Sequence, residues 1–324
     1  IFKRENFILI FFRCLLSIIQ LKPLHLNLFY SSLLKKYLSK NIKSYDLIFC
    51  QSIRAFYNLP NVQKNIILDV GDLYSKNYYQ TSKKLFFLNP LKIIYYIESK
   101  LIKKYEQFCF SKSNKILLFS KKEIQEIKNI SKSKIVQINF GVDKIKKIYK
   151  FSKKNYKIVF IGNIKYAPNR QACYYFINNI FPIIKELFPE IEFHIFGEIY
   201  SLDKYILMRK PGVQIKGKIK NLEPHLSNVV CGLANLNIST GVQTKLLTYM
   251  SYGIPSICSE KVFKNFDKIK SNKIDYYRND EEFINLIMKM KNSSSYSNKV
   301  SNRGIKTVQK FKWPKILKSF DRFI

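Results

Sequence analysis

Residues 241–255 combine residue types that could bind a phosphate group. They lie between two apolar runs, residues 229–236 and 254–258, so the pattern predicts a strand–helix–strand unit. A glycine before a helix lets the backbone approach a ligand, and the free N–H groups of a first helical turn attract anions. Lys245 would add a positive charge. The segment therefore predicts a phosphate site at Gly241, Val242, Gln243 and Lys245.

The same segment also has a purely structural explanation. Glycine opens many loops between strand and helix for steric reasons alone. Leu246, Leu247 and Met250 lie at helical spacing, which is typical of a face packed into a core. This segment by itself leaves both explanations open.

Length and charge limit the classes of protein and partner. The 324 residues, 47% of them hydrophobic, suffice for two domains. A net charge of +35 favours phosphate ligands and anionic membrane surfaces. Only eight basic residues are arginines and 49 are lysines spread along the chain, whereas base readout favours arginine. The expected partners therefore do not include nucleic acid.

The six cysteines show no C-x-x-C spacing and no metal-ligand pattern. They are typical of small buried side chains in a reducing, cytoplasmic compartment. The three histidines have no metal-binding partners in the sequence and are interpreted as ordinary core or surface residues. We expect no metal and no other cofactor.

The start of the chain contains an apolar helix. Residues 7–19 are too few to span a bilayer, which takes about twenty apolar residues, and they include Arg13. Residues 5–40 could lie on an anionic leaflet through their basic flanks, or pack on their own domain. We expect a cytoplasmic protein that can associate peripherally with the inner membrane face. Because the sequence begins at Ile1 and not at Met, we also expect a fragment.

Strand and helix patterns alternate along both halves of the chain. Predicted strands cover residues 46–50, 65–69, 114–119 and 134–138, and then 156–162, 191–197, 213–217 and 229–236. This alternation predicts two doubly wound α/β domains. We expect a first domain at 1–150, a second at 151–310 and a C-terminal helix at 311–324, with a charged linker at 144–155.

Polar residues follow several of the predicted strands, where ligands bind in open parallel sheets. Arg54 follows the first strand, Asp72 follows the second, and Gly162 ends the first strand of the second half. Asp72 could equally serve as a helix cap or turn residue.

The order of motifs resembles the family 4 (group 1) glycosyltransferases, most closely the bacterial exopolysaccharide sugar transferases. In the second half, the similar segments are residues 160–169, 194–197, 217–226 and 241–255, which read FIGNIKYAPN, HIFG, GKIKNLEPHL and GVQTKLLTYMSYGIP. In the first half, the similar residues are Arg54, Asp69 to Asp72, Ser75, Glu98, Tyr105, Glu106, Ser120 and residues 139–143. The resemblance covers about residues 45–313.

This resemblance implies a GT-B fold, with two Rossmann-like domains facing across a cleft. The first would bind the acceptor and the second the nucleotide-sugar donor, with the C-terminal helix crossing back toward the first. It further implies that two or three strands precede Ile1. The implied activity is retaining transfer of a sugar, of the hexosyltransferase type, to a lipid-linked or polysaccharide acceptor in cell-surface glycan synthesis.

The resemblance also assigns roles to residues. The donor side would contain Gly162, Asn163, Lys165, Arg170, Gly241, Val242, Gln243, Thr244, Lys245 and Thr248. Of these, Lys245 would stabilise the departing diphosphate and Thr248 would contact the ribose. Asp72 and Arg54 would act at the acceptor.

Two positions depart from the family pattern. Thr240 and Thr248 stand where the family typically has glutamates, and a hydroxyl cannot accept from two ribose hydroxyls as a carboxylate can. A non-catalytic GT-B protein that serves as a membrane-associated scaffold is therefore the alternative function. Another nucleotide-sugar enzyme, such as an epimerase, fits the order of motifs less well.

Overall fold

The computed structural model describes residues 5–61, 65–119, 121–138, 140–237, 243–265 and 274–320. The chain divides into two compact units, Ile1–Ile138 and Asn139–Ile324. Thr240, Gly241 and Val242 lie outside the described residues, as do Ser120 and Asn139, so the expectations for them are not tested.

The first unit contains a four-stranded parallel sheet in the order β1-β2-β3-β4. Its strands are β1 (Leu47–Gln51), β2 (Asn65–Gly71), β3 (Lys115–Leu118) and β4 (Ile135–Gln137). Its helices are α1 (Phe7–Ile19), α2 (Leu24–Asn27), α3 (Ser32–Asn41), α4 (Ser52–Phe56), α5 (Tyr74–Lys84), α6 (Leu91–Lys112) and α7 (Lys121–Glu126). Branched side chains of the central strands, such as Ile66, Leu68 and Ile116, form the core with Ile102 and Phe110 of α6.

The second unit contains a six-stranded parallel sheet in the order β10-β9-β8-β5-β6-β7. Its strands are β5 (Lys157–Ile161), β6 (Glu192–Phe196), β7 (Val213–Gly217), β8 (Val229–Ala234), β9 (Ser256–Ser259) and β10 (Asp275–Tyr277). Its helices are α8 (Ala167–Tyr175), α9 (Phe181–Leu187), α10 (Ser201–Met208), α11 (Thr244–Ser251), α12 (Glu260–Phe263), α13 (Asp280–Asn292), α14 (Ser294–Val308) and α15 (Trp313–Phe320).

The strand order of the second unit defines its ligand-binding crevice. From β5 the chain proceeds through β6 to β7 on one side, and then returns to β8 and β9 on the other. In doubly wound sheets this reversal leaves a crevice outside the carboxyl ends of the two central strands. Here those strands are β5 and β8, which are followed by the loops that lead to α8 and α11.

Tyr249 of α11 joins β5 to β8 at that end of the sheet. Its buried hydroxyl accepts a hydrogen bond from the Ile161 backbone N–H at 2.9 Å and lies 3.1 Å from the Leu233 carbonyl oxygen, to which it can donate. The ring packs on Gly232, where an added Cβ would lie 2.6 Å from ring atoms. The hydroxyl thus replaces a direct bond between the strands, which fixes α11 over the sheet.

The segment that we expected to be a linker packs against the second unit. The backbone N–H groups of Lys146 and Ile148 donate to the carbonyl oxygens of Ser251 and Tyr252. Asn155 is buried and donates to two further carbonyl oxygens. Residues 144–155 therefore have a defined place beside α11.

The expectations for fold class and for the strands are confirmed. Both units are α/β with parallel sheets, and each predicted strand overlaps an observed one. Five of the six cysteines are buried and all are free thiols, whereas Cys14 is half-buried. None of the helices in the described part of the chain is long and apolar enough to cross a bilayer.

We predict that Tyr249→Phe lowers the stability of the second unit. Phenylalanine keeps the ring contact with Gly232 but leaves the Ile161 N–H and the Leu233 carbonyl without their partner, which costs about 1–3 kcal/mol. Urea unfolding followed by the fluorescence of Trp313, the single tryptophan, measures the change. Tyr205→Phe, at an exposed position of α10, is the control, and equal stability of the two variants would contradict the prediction.

Candidate functional site

Lys245 lies in the first turn of α11 at the carboxyl end of the sheet. Its side chain is buried, with 6% of the residue exposed. The Nζ atom donates to Asn169 Oδ1 at 2.8 Å and lies 3.7 Å from the centre of the Phe160 ring. One amide oxygen and one aromatic face thus contact the ammonium group.

The loop after β5 holds Asn169 in place. The Asn169 Nδ2 atom donates to the Asn163 carbonyl oxygen at 2.8 Å, and Asn163 Oδ1 accepts from the Lys165 backbone N–H at 2.9 Å. A Cβ atom on Gly162 would lie 2.9 Å from Asn169 Nδ2 and 3.3 Å from Lys245 Nζ. The absence of a side chain at Gly162 therefore leaves the space that these two groups occupy.

A second glycine brings the ends of β5 and β6 together. Gly197 has φ of +144°, and a Cβ atom there would lie 1.8 Å from the Gly162 carbonyl oxygen. The Gly162 N–H donates to the Phe196 carbonyl oxygen at 2.8 Å. Only glycine at position 197 permits this approach.

Burial perturbs the protonation of Lys245. Removal from water disfavours the charged form and lowers the pKa of Lys245 to about 7, while the nearby Cys173 acts weakly in the opposite direction. Among the described residues no carboxylate pairs with Lys245. The site thus contains an amine that titrates near neutral pH.

Lys291 is buried to a similar degree but has different surroundings. Its Nζ atom donates to the carbonyl oxygens of Lys153 at 2.9 Å and Asn155 at 2.7 Å, and pairs with Glu190 at 2.6 Å. Three acceptors therefore satisfy its three N–H groups, as expected for a structural lysine. Lys245 has one such acceptor in the described part of the chain, which is typical of a group that awaits a ligand.

The other two cations expected at the donor site pair with acids nearby. Lys165 Nζ lies 3.5 Å from Glu198 Oε2, and Arg170 Nη1 lies 3.6 Å from Asp203 Oδ2. Both side chains are substantially exposed, so these pairs are weak. No described hydrogen bond or ion pair brings either cation to Lys245.

The expected ribose residue bonds within its own helix. The Thr248 hydroxyl donates to the Thr244 carbonyl oxygen at 3.2 Å, and its oxygen keeps lone pairs for a ligand donor. Gln243 is the N-cap residue of α11, and Thr244 is exposed at its start.

In the first unit, Arg54 lies among aromatic rings. Its guanidinium carbon is 4.1 Å from the Phe29 ring centre and 4.5 Å from that of Tyr74, and its Nε atom donates to His25 Nε2 at 2.7 Å. Arginine can only donate, so His25 Nε2 accepts and the ring proton of neutral His25 lies on Nδ1. That proton is donated to the Tyr78 hydroxyl oxygen, 2.7 Å away.

The pKa values in this cluster follow from burial. Burial and the Arg54 charge lower the pKa of His25 to about 4, so this histidine is neutral near pH 7. Burial, followed by the Glu98 charge, raises the pKa of Tyr78 to about 12. His25, which accepts the hydrogen bond from Arg54, is therefore neutral across the physiological pH range.

Asp72 lies in a different electrostatic environment from that of Arg54. It is near Glu123, a fully buried carboxyl group. Burial and the Asp72 charge raise the pKa of Glu123 to about 8. The Lys76 charge and the Leu73 backbone act in the opposite direction.

Sequence reasoning did not assign roles to several of the residues that form these sites. Phe160 of β5 and Asn169 of α8 belong to the motif at residues 160–169 but were not assigned to the site. His25 and Tyr78 were not connected to Arg54. The spacing of Gly162 and Asn169 was the available signal for Asn169. No signal in the sequence connects His25 to Tyr78, because their contact depends on how α2 packs on α5.

Among the described residues, no group of three His, Cys, Asp or Glu side chains is arranged to hold a metal ion. The positive charge that this part of the chain offers to a ligand in the crevice of the second unit comes from Lys245.

Part of the second unit is similar to a known protein family. Residues 155–289 match the model described as glycosyl transferases group 1. A Klebsiella pneumoniae protein described as an uncharacterized 44.6 kDa protein in the cps region is 28% identical over 161 residues. That match covers 48% of this chain and 40% of the relative.

Solved structures show the same fold. TarM superposes with a TM-score of 0.69 at 15% identity, covering 90% of this chain and 57% of TarM. Anabaena HepE, solved with UDP-glucose, superposes with a TM-score of 0.67 at 10% identity, covering 90% of this chain and 81% of HepE. The chain thus spans less than two thirds of TarM and of the Klebsiella relative.

Residues 155–289 are thus similar to the group 1 glycosyltransferases, and the fold of the chain is of the GT-B type. Both expectations from the sequence are confirmed, including the presence of two Rossmann-like sheets.

We predict that replacing the two buried lysines has opposite effects on stability. Lys245→Met removes an amine that is costly to bury, so we expect equal or higher stability at pH 7. Lys291→Met leaves two carbonyl oxygens and Glu190 unpaired, so we expect a loss of about 2–4 kcal/mol. Urea unfolding followed by Trp313 fluorescence measures both.

The pH dependence of the wild type provides the check. The pKa of Lys245 is about 7 when folded and about 10.4 when unfolded, so between these values the unfolded chain binds more protons. Lys245 therefore makes the folded state more stable as the pH rises from 7 to 9, by up to about 1.4 kcal/mol per pH unit. If the wild type and Lys245→Met show the same slope, Lys245 is not titrating as described.

Proposed function

We propose that this chain transfers a sugar from a nucleotide-sugar donor to a glycan or lipid-linked acceptor in cell-surface polysaccharide synthesis. The observation that carries the proposal is Lys245, a buried amine at the switch point of a doubly wound sheet, with one acceptor among the residues that the structure describes. A diphosphate in that crevice would supply the acceptors that the protein does not. The amine would then be held protonated by its ligand.

In the proposed reaction, the bond between the anomeric carbon and the diphosphate oxygen breaks as the acceptor hydroxyl forms the new bond. Negative charge develops on the diphosphate, and Lys245 with the N–H groups at the start of α11 stabilises it. Gly241, Val242 and Gln243 would provide backbone N–H groups. Lys165 and Arg170 would contribute once a ligand draws them from their acidic partners.

Attack from the face that the leaving group vacates would retain the configuration at the anomeric carbon, and the acceptor proton would pass to the departing diphosphate. Such a reaction needs little covalent help from the protein and depends on orientation and charge stabilisation. Arg54 and Asp72 are our candidates for the acceptor side. We propose no metal ion, because Lys245 and the helix terminus supply the positive charge.

The relatives support the choice of substrate class. HepE was solved with UDP-glucose, and the Klebsiella relative is encoded in a cps region. A hexosyl donor and a surface-polysaccharide acceptor are the corresponding proposals for this chain. A polymerising or lipid-linked acceptor would place the protein peripherally at the cytoplasmic membrane face.

A second candidate function is a non-catalytic GT-B protein that acts as a membrane-associated scaffold. Thr248 favours it, because its hydroxyl donates to the Thr244 carbonyl oxygen and offers a ribose only the lone pairs of one neutral oxygen. Binding of a nucleotide without turnover of any sugar donor would support this candidate.

We predict that one nucleoside diphosphate stabilises the protein selectively. A nucleotide at about 100 times its dissociation constant adds about 2.7 kcal/mol, enough to raise the melting midpoint by several degrees. A thermal-shift screen against UDP, GDP, ADP and CMP measures this. Lys245→Met should lose the response, whereas Lys291→Met should keep it despite a lower midpoint.

Two results would contradict the assignment. One is the absence of any shift in wild-type protein that melts cooperatively. The other is an undiminished shift in Lys245→Met, which would show that the nucleotide binds elsewhere.

We further predict that binding takes up a proton. At pH 8 an amine of pKa about 7 is mostly neutral, and a bound diphosphate requires the charged form. Uptake should approach one proton, and affinity should fall by up to about tenfold per pH unit above 7. Calorimetric titration in buffers of different ionisation enthalpy measures the uptake. Binding without proton uptake at pH 8 would exclude Lys245 as the titrating contact.

A further inference from the structure

Helices α5 and α6 form a hairpin whose connecting end is apolar and exposed. Phe86, Phe87 and Leu88 in the connection are 66%, 71% and 71% exposed. The first turns of α6 add Ile93 and Ile97, also exposed. We call residues 86–97 the hairpin tip. An exposed patch of this kind on a folded unit marks an interaction surface.

The hairpin changes character along its axis. Ile93, Ile97, Lys100 and Lys104 follow one another at helical spacing, so one solvent-facing side of α6 is apolar near the tip and basic beyond it. At a rise of about 1.5 Å per residue, Lys100 lies about 12 Å along the helix from Lys92. An element arranged this way fits a partner that is apolar inside and charged at its boundary.

The charge of the hairpin is one-sided. Residues 76–104 contain seven lysines, of which Lys76 pairs with Glu126, and a single acid, Glu98. Glu98 is buried and accepts hydrogen bonds from the backbone N–H groups of Leu24 and His25, so it presents no charge outward. Lys83 and Lys84 end α5 next to the tip, and both are exposed.

Two aromatic residues, Tyr79 and Tyr96, lie beside lysines of the hairpin. The rings of Tyr79 and Tyr96 are 6.3 Å apart, with Lys83 Nζ 4.8 Å from the first ring and Lys100 Nζ 5.2 Å from the second. Tyrosine and lysine side chains next to an apolar surface are typical of the boundary between hydrocarbon and lipid headgroups.

We propose that the hairpin tip inserts into the surface of an anionic lipid bilayer and that the lysines behind it bind the headgroups. This deepens the proposed function, because it gives a position to the peripheral association suggested there for a membrane-borne acceptor. It does not depend on turnover.

Helix α1 is the other exposed apolar element of the first unit, and its charge pattern differs. Arg13 is its one basic residue, and this arginine pairs with Glu5 and lies over the Tyr30 ring. Helix α1 therefore offers no cation to an anionic surface. The exposed lysines of residues 5–40 lie outside this apolar helix: Lys22 follows it, and Lys35, Lys36 and Lys40 lie on α3. The hairpin instead combines apolar and basic residues in one element.

The test is co-sedimentation of the full chain with vesicles, either phosphatidylcholine alone or phosphatidylcholine with 30 mol% phosphatidylglycerol, about the anionic fraction of a charged leaflet. We expect binding to the anionic vesicles. The triple variant Phe86→Ser, Phe87→Ser, Leu88→Ser should weaken it by about tenfold or more. The matched control is Phe7→Ser, Phe12→Ser, Ile19→Ser in α1, which should bind as the wild type does.

A second pair of variants tests the headgroup contact. Lys83→Glu, Lys84→Glu, Lys100→Glu, at exposed lysines behind the tip, should reduce binding to anionic vesicles by about two orders of magnitude. The control is Lys153→Glu, Lys154→Glu, Lys220→Glu, which changes the net charge equally at exposed lysines of the second unit. Equal losses of vesicle binding in the two variants would mean that the net charge of the protein, and not the hairpin, determines binding.

Three further results would overturn the proposal. The first is no binding to anionic vesicles, and the second is loss of binding in the α1 variant and not in the tip variant. The third is a tip variant that changes molar mass in light scattering while it still binds vesicles. The last would identify the tip as a contact between copies of this chain. Circular dichroism checks folding of each variant. The nucleotide response of the tip variant should equal that of the wild type, so failure here and failure of the donor site are distinguishable.

Discussion

The proposed donor site depends on one arrangement: an amine buried at the carboxyl end of a parallel sheet, with one acceptor among the described residues. Asn169 and the Phe160 ring hold the side chain of Lys245 in place, but neither compensates a full positive charge as a carboxylate would. Burial therefore disfavours the charged form. An anionic ligand reverses this balance, because it restores the charge and completes the hydrogen bonds. Ligand binding and the protonation of Lys245 are therefore coupled at its Nζ atom.

That arrangement requires three parts of the chain to be fixed relative to one another. Gly197 admits the Gly162 carbonyl, Gly162 leaves room for Asn169 and Lys245, and Tyr249 fastens α11 to both central strands. Each contact tolerates little displacement, because backbone atoms lie on at least one side of it. The site is thus built on strand ends and a helix, which hold their geometry better than a long loop.

The sequence predicted the parts of this structure that follow from local patterns. Apolar runs located the strands, and the glycines at 162 and 197 appeared within motifs at strand ends. It could not predict that Lys245 is buried while Lys165 and Arg170 are exposed and paired with Glu198 and Asp203, because burial depends on packing between α8, α10 and α11. The His25–Arg54 contact joins residues from separate helices and has no periodic signal. Residues 144–155 resembled a linker because amino-acid composition does not indicate their backbone hydrogen bonds to Ser251 and Tyr252.

The abundance of lysine makes the environment of each one more informative than the total. Lys245, Lys291 and the hairpin lysines have the same side chain but different surroundings. In the described part of the chain Lys245 has one acceptor, whereas Lys291 is saturated by two carbonyl oxygens and Glu190. The hairpin lysines lie beside an apolar tip, and the one acid among residues 76–104, Glu98, is buried. Lys245 and the hairpin lysines can gain by binding an anion, whereas Lys291 would have to give up existing hydrogen bonds. Lys245 and the hairpin lysines are therefore the places where we propose that an anion binds, a diphosphate at the first and a lipid headgroup at the second.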